Sequence, residues 1–211
     1  MEGDSGGLQA CHVTVCGPHV LPPADRPAVI ELRRYTLRPG RRDELIELFD
    51  REFVEPQEEA GTVVFGQFRD MDDPDRFVWL RGFRDMAVRR DALTAFSGGP
   101  VWAEHAPGPT PPCSTPTTSC CCVPCRTGPA PLAALTTETA RNTFPRLPVR
   151  TGKDVAVVLT SYPDEDAHRR HLADVLAQPL VRDEILPGIE RAQTAAPRTL
   201  RLAPTGRSLI A

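Results

Sequence analysis

The chain has 211 residues, 40% hydrophobic and 25% charged, with a formal net charge of -3. This is the composition of one or two small globular domains. The acidic balance argues against nucleic acid as a partner, because phosphate binding needs a basic footprint. No apolar run reaches the ~18–20 residues of a membrane span.

Residues 1–27 carry Glu2 and Asp4, several Gly and Pro, and a single Arg26. They lack the basic start and apolar run of a secretory leader and the Arg-rich character of a mitochondrial one. The segment reads as a disordered tail, and the protein as cytoplasmic. Cys11 and Cys16 lie in this tail, and the other five cysteines fall between Cys113 and Cys125. The segments that read as folded contain none, which fits a reducing compartment.

Residues 28–37 predict a strand, with Ile30 and Leu32 on one face and Glu31, Arg33 and Tyr35 on the other. Pro39-Gly40 signals a turn. Residues 41–60 predict a helix, because Leu45, Leu48, Phe49 and Phe53 recur at helical spacing. Its acids, Glu44, Glu47, Asp50, Glu52, Glu55, Glu58 and Glu59, alternate with arginines and read as a solvated, ion-paired face. Gly61 is a C-cap candidate. Thr62–Phe68 and Arg76–Phe83 predict a hairpin across the Asp70–Asp75 turn, with Phe77, Trp79 and Phe83 sharing one face. A helix follows from Met86 to Phe96, breaks at Gly98-Gly99-Pro100 and resumes from Val101 to His105.

The order β-α-β-β-α requires one more strand to complete a ferredoxin-like unit. Residues 106–150 are instead rich in Pro, Thr, Cys, Ala and Gly, and read as a disordered linker. From residue 151 order returns. Asp154–Ser161 predicts a buried strand and His168–Gln178 a helix capped from the Pro163–Asp166 stretch. Val181–Leu186 predicts a short helix, and Arg198–Leu202 and Arg207–Ile210 short strands. The expected fold is α+β: a ferredoxin-like unit over 28–105, a linker over 106–150, and a partial second unit over 151–211.

Glu31-Leu32-Arg33-Arg34-Tyr35-Thr36-Leu37-Arg38-Pro39-Gly40 resembles the opening motif of NIPSNAP domains. Gly66-Gln67-Phe68, Phe77–Phe83 and Val101-Trp102-Ala103-Glu104-His105 stand where that family has its next strands and its Trp-x-x-His-like helix end. The stretch Thr199–Leu209 is similar to the ending of bacterial members. The resemblance covers roughly 28–105 and 144–211, and it implies a homodimeric α/β barrel with no established reaction. Residues 106–143 match nothing in the family. With GC-rich codons, the stretch after Pro112 read one base earlier gives Met-Leu-Asp-Thr-Asp-Asp-Val-Leu-Leu-Leu-Arg. That is the strand-forming run expected of relatives after the His. Cys113–Cys125 is therefore read as a frame-shifted strand, with an inert linker and a metal site built on Cys122-x-x-Cys125 as the alternatives.

In such a barrel Arg33, Tyr35, Phe77, Trp79 and Arg81 would line a pocket for a small organic ligand. The competing reading is that the aromatics simply pack in an interface. His105 is either a general base or a helix-end residue favoured by the helix dipole. His168 and His171 read as solvent-exposed. No Walker, Rossmann, Gly-x-Ser-x-Gly or His-Glu-x-x-His motif occurs, and no cofactor or metal is expected. The reading is a dimeric module that binds a small molecule or a protein. The alternative is a small cofactor-independent monooxygenase or isomerase using Tyr35 and His105.

Overall fold

The computed structural model describes residues 9–16, 27–105, 118–125, 133–147, 149, 155–194 and 196–210. In chain order these form β1 (Gln9–Cys16), β2 (Val29–Thr36), α1 (Arg42–Leu48), a π-helical turn (Phe49–Phe53) and α2 (Val54–Glu59). There follow β3 (Val63–Asp70), β4 (Arg76–Phe83), α3 (Met86–Gly98), α4 (Pro100–His105), β5 (Thr118–Cys125) and β6 (Ala133–Thr137). The chain then continues through β7 (Val155–Tyr162), α5 (Glu165–Ala177), a second π-helical turn (Val181–Ile185), α6 (Leu186–Ala192) and β8 (Arg198–Pro204).

The strands close into a barrel in the order β1-β7-β6-β5-β2-β4-β3-β8. The run β5-β2-β4-β3 is antiparallel throughout. It has the 4-1-3-2 strand order of a ferredoxin-like β-α-β-β-α-β unit, so the expected α+β class holds. The fourth strand of that unit is β5, within the 106–150 stretch that composition read as a linker. Its backbone pairs with β2 from Ile30↔Cys122 to Arg34↔Thr118 and so covers an edge that would otherwise be bare. In the same stretch β6 joins β5 to β7. Likewise β1 lies in the segment read as a tail, and its Val-Thr-Val run suits a strand.

The other half, β8-β1-β7-β6, repeats the pattern with one inversion. Whereas β2 is antiparallel to both its neighbours, β1 runs parallel to both β7 and β8. Residues 207–210 form no strand. Ser208 turns the chain there, its hydroxyl donating to the Ile210 carbonyl and accepting from the Gln67 amide.

Local chemistry explains the helices. The residue before α3, Asp85, accepts from the Ala87 and Val88 amides, and Asp164 accepts from Ala167 before α5. The turn residue Gly40 and the cap residue Gly61 take positive φ, 77° and 95°, as turn and C-cap signals require. The helix predicted over 41–60 widens into a π turn at Phe49–Phe53. Pro56 has no N–H to give the Glu52 carbonyl and its ring crowds that carbonyl. The same relation recurs where Pro187 follows Val181–Ile185, with Asp183 as the residue four back.

Inside the barrel, Ile30, Leu32, Phe65, Phe68, Val78, Leu80, Leu135, Val157, Leu159 and Leu202 form one apolar core, which Ile210 joins. A second layer lies between the sheet and the helices of the first half: Ile46, Phe49, Phe53, Val54, Phe77, Trp79 and Phe96. The two halves differ in how well their outer faces are covered. All of β4 after Arg76 is buried, whereas β7 alternates between buried and half-buried residues. Among the described residues, α5 packs against β7 in the second half, whereas α1, α2 and α3 all pack on the sheet of the first.

Candidate functional site

Cross-strand register builds the site. On the helix-facing side, Glu31 lies opposite Arg81, Arg33 opposite Trp79, and Tyr35 opposite Phe77. The five residues expected to share a face therefore do share one. That face packs beneath the helices, and the barrel interior is lined by the opposite set.

At its centre Glu31 is fully buried and held between two guanidiniums. Arg81 donates to Oε2 from Nε at 2.7 Å, with its Nη2 2.6 Å away. Arg89, from α3, donates to Oε1 from Nε at 2.7 Å, with its Nη2 2.6 Å away. Arg33 Nη1 stands 3.7 Å from Oε2. Burial alone would raise the Glu31 carboxyl, but the charges of Arg81, Arg33 and Arg89, with the Arg81 hydrogen bond, hold it at about 2. Burial presses Arg81 the other way, below its usual value, with Glu31 opposing that shift. An arginine stays charged in either case, so this is a carboxylate ringed by three cations.

The cluster extends outward through polar links. Arg81 Nη1 donates to Gln57 Oε1 at 2.9 Å, and Gln57 donates to the Phe53 carbonyl at 3.0 Å. Arg89 Nη1 reaches Asn142 Oδ1 at 3.0 Å and Thr143 at 3.4 Å. Helices α2 and α3 and the 138–147 segment are thus tied to one strand residue.

The aromatics complete the layer. Trp79 packs edge-on to Phe49 at 4.8 Å between centroids, with the Arg81 guanidinium 5.0 Å from its ring. Tyr35 is half-buried beside Phe77 and Trp79, and its hydroxyl accepts from Arg33 Nε at 3.3 Å. At the end of α4, His105 lies edge-on to Phe53 with Nε2 3.8 Å from Glu52. No hydrogen bond joins Tyr35 to His105. His168 is buried against Tyr162, with ring centroids 5.0 Å apart, and is not the exposed residue that its helix position suggested; His171 is exposed and tilted against the same ring at 5.4 Å.

Sequence reasoning placed Glu31 on this face but gave it no role, and missed Arg89 and Gln57. Arg89 interrupts the apolar stripe of Ala92, Leu93 and Phe96, and a charge on a buried stripe calls for a buried partner. Gln57 continues the Phe49–Phe53 stripe one turn on. Among the described residues no group of three or more His, Cys, Asp or Glu could hold a metal ion. The side chains of the cysteines from 113 to 125 lie outside the described residues. No described helix is long and apolar enough to cross a membrane.

The geometry defines an α+β barrel of ferredoxin-like units with a buried carboxylate–arginine cluster between sheet and helices. Residues 30–112 match the NIPSNAP family model, and this segment is a NIPSNAP-family domain. Solved structures it resembles include a NIPSNAP family protein of unknown function from Agrobacterium tumefaciens. That protein is 19% identical, with 48% of this chain and 91% of that one covered and a TM-score of 0.43. An uncharacterized NIPSNAP-like domain protein from Burkholderia xenovorans is 24% identical over 48% and 88% of the two chains, with a TM-score of 0.42. A Mycobacterium tuberculosis protein is 20% identical over 47% and 97%, with a TM-score of 0.36. Superpositions this loose support no statement about function. No curated protein matches the chain.

Proposed function

We propose that the chain is a protein-binding module that pairs with a second copy of itself through the exposed apolar band on α5 and α6. The observation that carries this reading is the exposure of Leu172 (45%), Leu176 (42%), Leu180 (58%), Ile185 (43%) and Ile189 (40%). Leu172 and Leu176 lie one turn apart on α5, and Leu180 follows the break at Gln178, just before the second π turn. A contiguous apolar surface of this kind marks an interaction site.

The fold supplies the reason for the band. Both α3 and α5 are 13-residue helices entered from a sheet strand through an aspartate cap. Leu93 in α3 is buried with α2 alongside, while Leu172, at the equivalent place in α5, is exposed. The described strand edges are all paired, which leaves none of them for edge-to-edge pairing, and a two-fold pairing of α5 with its copy would supply the missing neighbour. A small organic ligand against Arg33, Tyr35, Phe77, Trp79 and Arg81 is the weaker proposal, because those side chains already engage one another and the helices.

Light scattering on the eluted protein tests the reading. The full chain should elute with twice its mass, and Leu172→Glu should elute as a folded monomer. A folded, monodisperse wild-type monomer refutes it.

A further inference from the structure

A second group of polar side chains stands on the same sheet face, one strand further from Glu31. Gln67 of β3 lies opposite Trp79 of β4 and is fully buried. Neither its amide oxygen nor its amide nitrogen meets a hydrogen-bond partner in the protein. Nor do the Trp79 indole Nε1 and the buried Thr205 hydroxyl. Native proteins rarely leave such atoms unmatched, because each costs the full desolvation of a polar group.

These groups are brought together. Trp79 flanks Gln67 on one side. On the other, the Thr205 backbone N–H donates to the Gln67 backbone carbonyl at 2.9 Å, and the Gln67 backbone N–H donates to Ser208 Oγ at 3.3 Å. The roof is the π turn, whose Phe49 packs on Trp79. Arg207 ties roof to floor, donating to the Asp50 carbonyl and the Glu55 carboxylate. The Asp50 Oδ1 atom is buried and likewise without a partner. Burial raises this carboxyl, against the pull of Arg207 and Arg69. The floor carries a β-bulge between Val64 and Gly66. Bulges and π turns are both devices that re-aim side chains and open a ladder beside functional sites.

We propose that Gln67, Trp79 and Thr205 form an internal binding site for a small uncharged molecule that both donates and accepts hydrogen bonds. The indole N–H and the Gln67 amide N–H groups would donate to it. The Gln67 and Thr205 oxygens would accept from it. Water has this chemistry, and so does a short primary amide or diol. Two to four polar partners are what a buried water needs.

The test is nuclear magnetic resonance on the full chain, reading the Trp79 indole N–H with the half-buried Trp102 indole as internal reference. Long-lived water gives a water cross-peak at Trp79. A small organic occupant gives a saturable Trp79 shift on titration with acetamide or ethylene glycol. Either result supports the site, provided Gln67→Met abolishes it while Trp102 is unchanged. Thr205→Val serves the same purpose if Gln67→Met fails to fold. A Trp79 indole with neither a water cross-peak nor a saturable shift overturns the proposal. So does a signal that survives the substitution.

Discussion

Replacing Glu31 by glutamine should be among the most damaging single changes to this fold, and its cost should depend on pH. The Glu31 carboxyl sits at about 2 when folded, against an ordinary value of 4.5. The difference corresponds to about 3 kcal/mol of stability at neutral pH. Glu31→Gln also takes the counter-charge from Arg81 and Arg89, and breaking a buried pair costs about 3–5 kcal/mol by comparison with other proteins. Folding lowers this value, so the contribution is fully present above a pH of about 4.5 and drains away as the pH falls toward about 2. Urea unfolding followed by tryptophan fluorescence should show the wild type more stable than Glu31→Gln by about 3 kcal/mol near neutrality, with the gap narrowing steadily below a pH of about 4.5. A gap under about 1 kcal/mol at neutral pH, the yield of a surface pair, would refute the reasoning. A gap that stays constant in acid would refute it equally.

Arg89→Met leaves Glu31 paired to Arg81 but removes the guanidinium bonds to Asn142 and Thr143. It should cost about 2–3 kcal/mol and speed amide hydrogen exchange over residues 142–147, and unchanged exchange there would contradict the proposed tie. Gly82→Ala would set a Cβ 2.4 Å from the Pro27 ring and 3.1 Å from Phe65. An overpacking cost of about 1–3 kcal/mol in urea unfolding is expected, and a neutral result would mean the Pro27 segment yields freely. Sequencing the gene across codons 100–150 should reveal one missing or extra base, giving Val-Leu-Leu-Leu-Arg where β5 pairs with Ile30 and Leu32. DNA that confirms the printed frame removes that reading.

Much of the first half was legible because its periodicities are clean. Ile30 and Leu32 alternate against Glu31 and Arg33, and β2 follows, within a residue at each end of the predicted strand. Pro39-Gly40, Gly61 and the Asp70–Asp75 turn each mark a boundary by local backbone chemistry that needs no tertiary information. What stayed hidden depends on register and on distant segments. The pairing of Glu31 with Arg81 requires knowing that residues 50 apart lie opposite one another, and Arg89 comes from a helix 58 residues away. Arg33, Tyr35, Phe77, Trp79 and Arg81 stand on one face, yet a single strand's alternation cannot say which face meets helices and which meets the barrel interior. The strands β1 and β5 were masked by composition. The Pro- and Gly-rich stretch that follows β1, and the proline and cysteine in and around β5, hid the β-branched residues that favour a strand. Gln67 was read only as the middle of a Gly-x-Phe strand, and its unmatched amide is visible only in three dimensions.

The pairing of β1 with β8 joins residues 11–15 to residues 198–202, almost the full length of the chain. In a chain made from its N-terminus onward, β1 emerges first but meets β8 only when the last strand has left the ribosome. The first half can gather β2, β3 and β4 around Glu31 long before that. Barrel closure is then the late, non-local step, with the loop-closure cost that slows such topologies. Until it happens, the β3 edge that later receives β8 stands open, which is when a nascent chain of this design most needs protection from its neighbours.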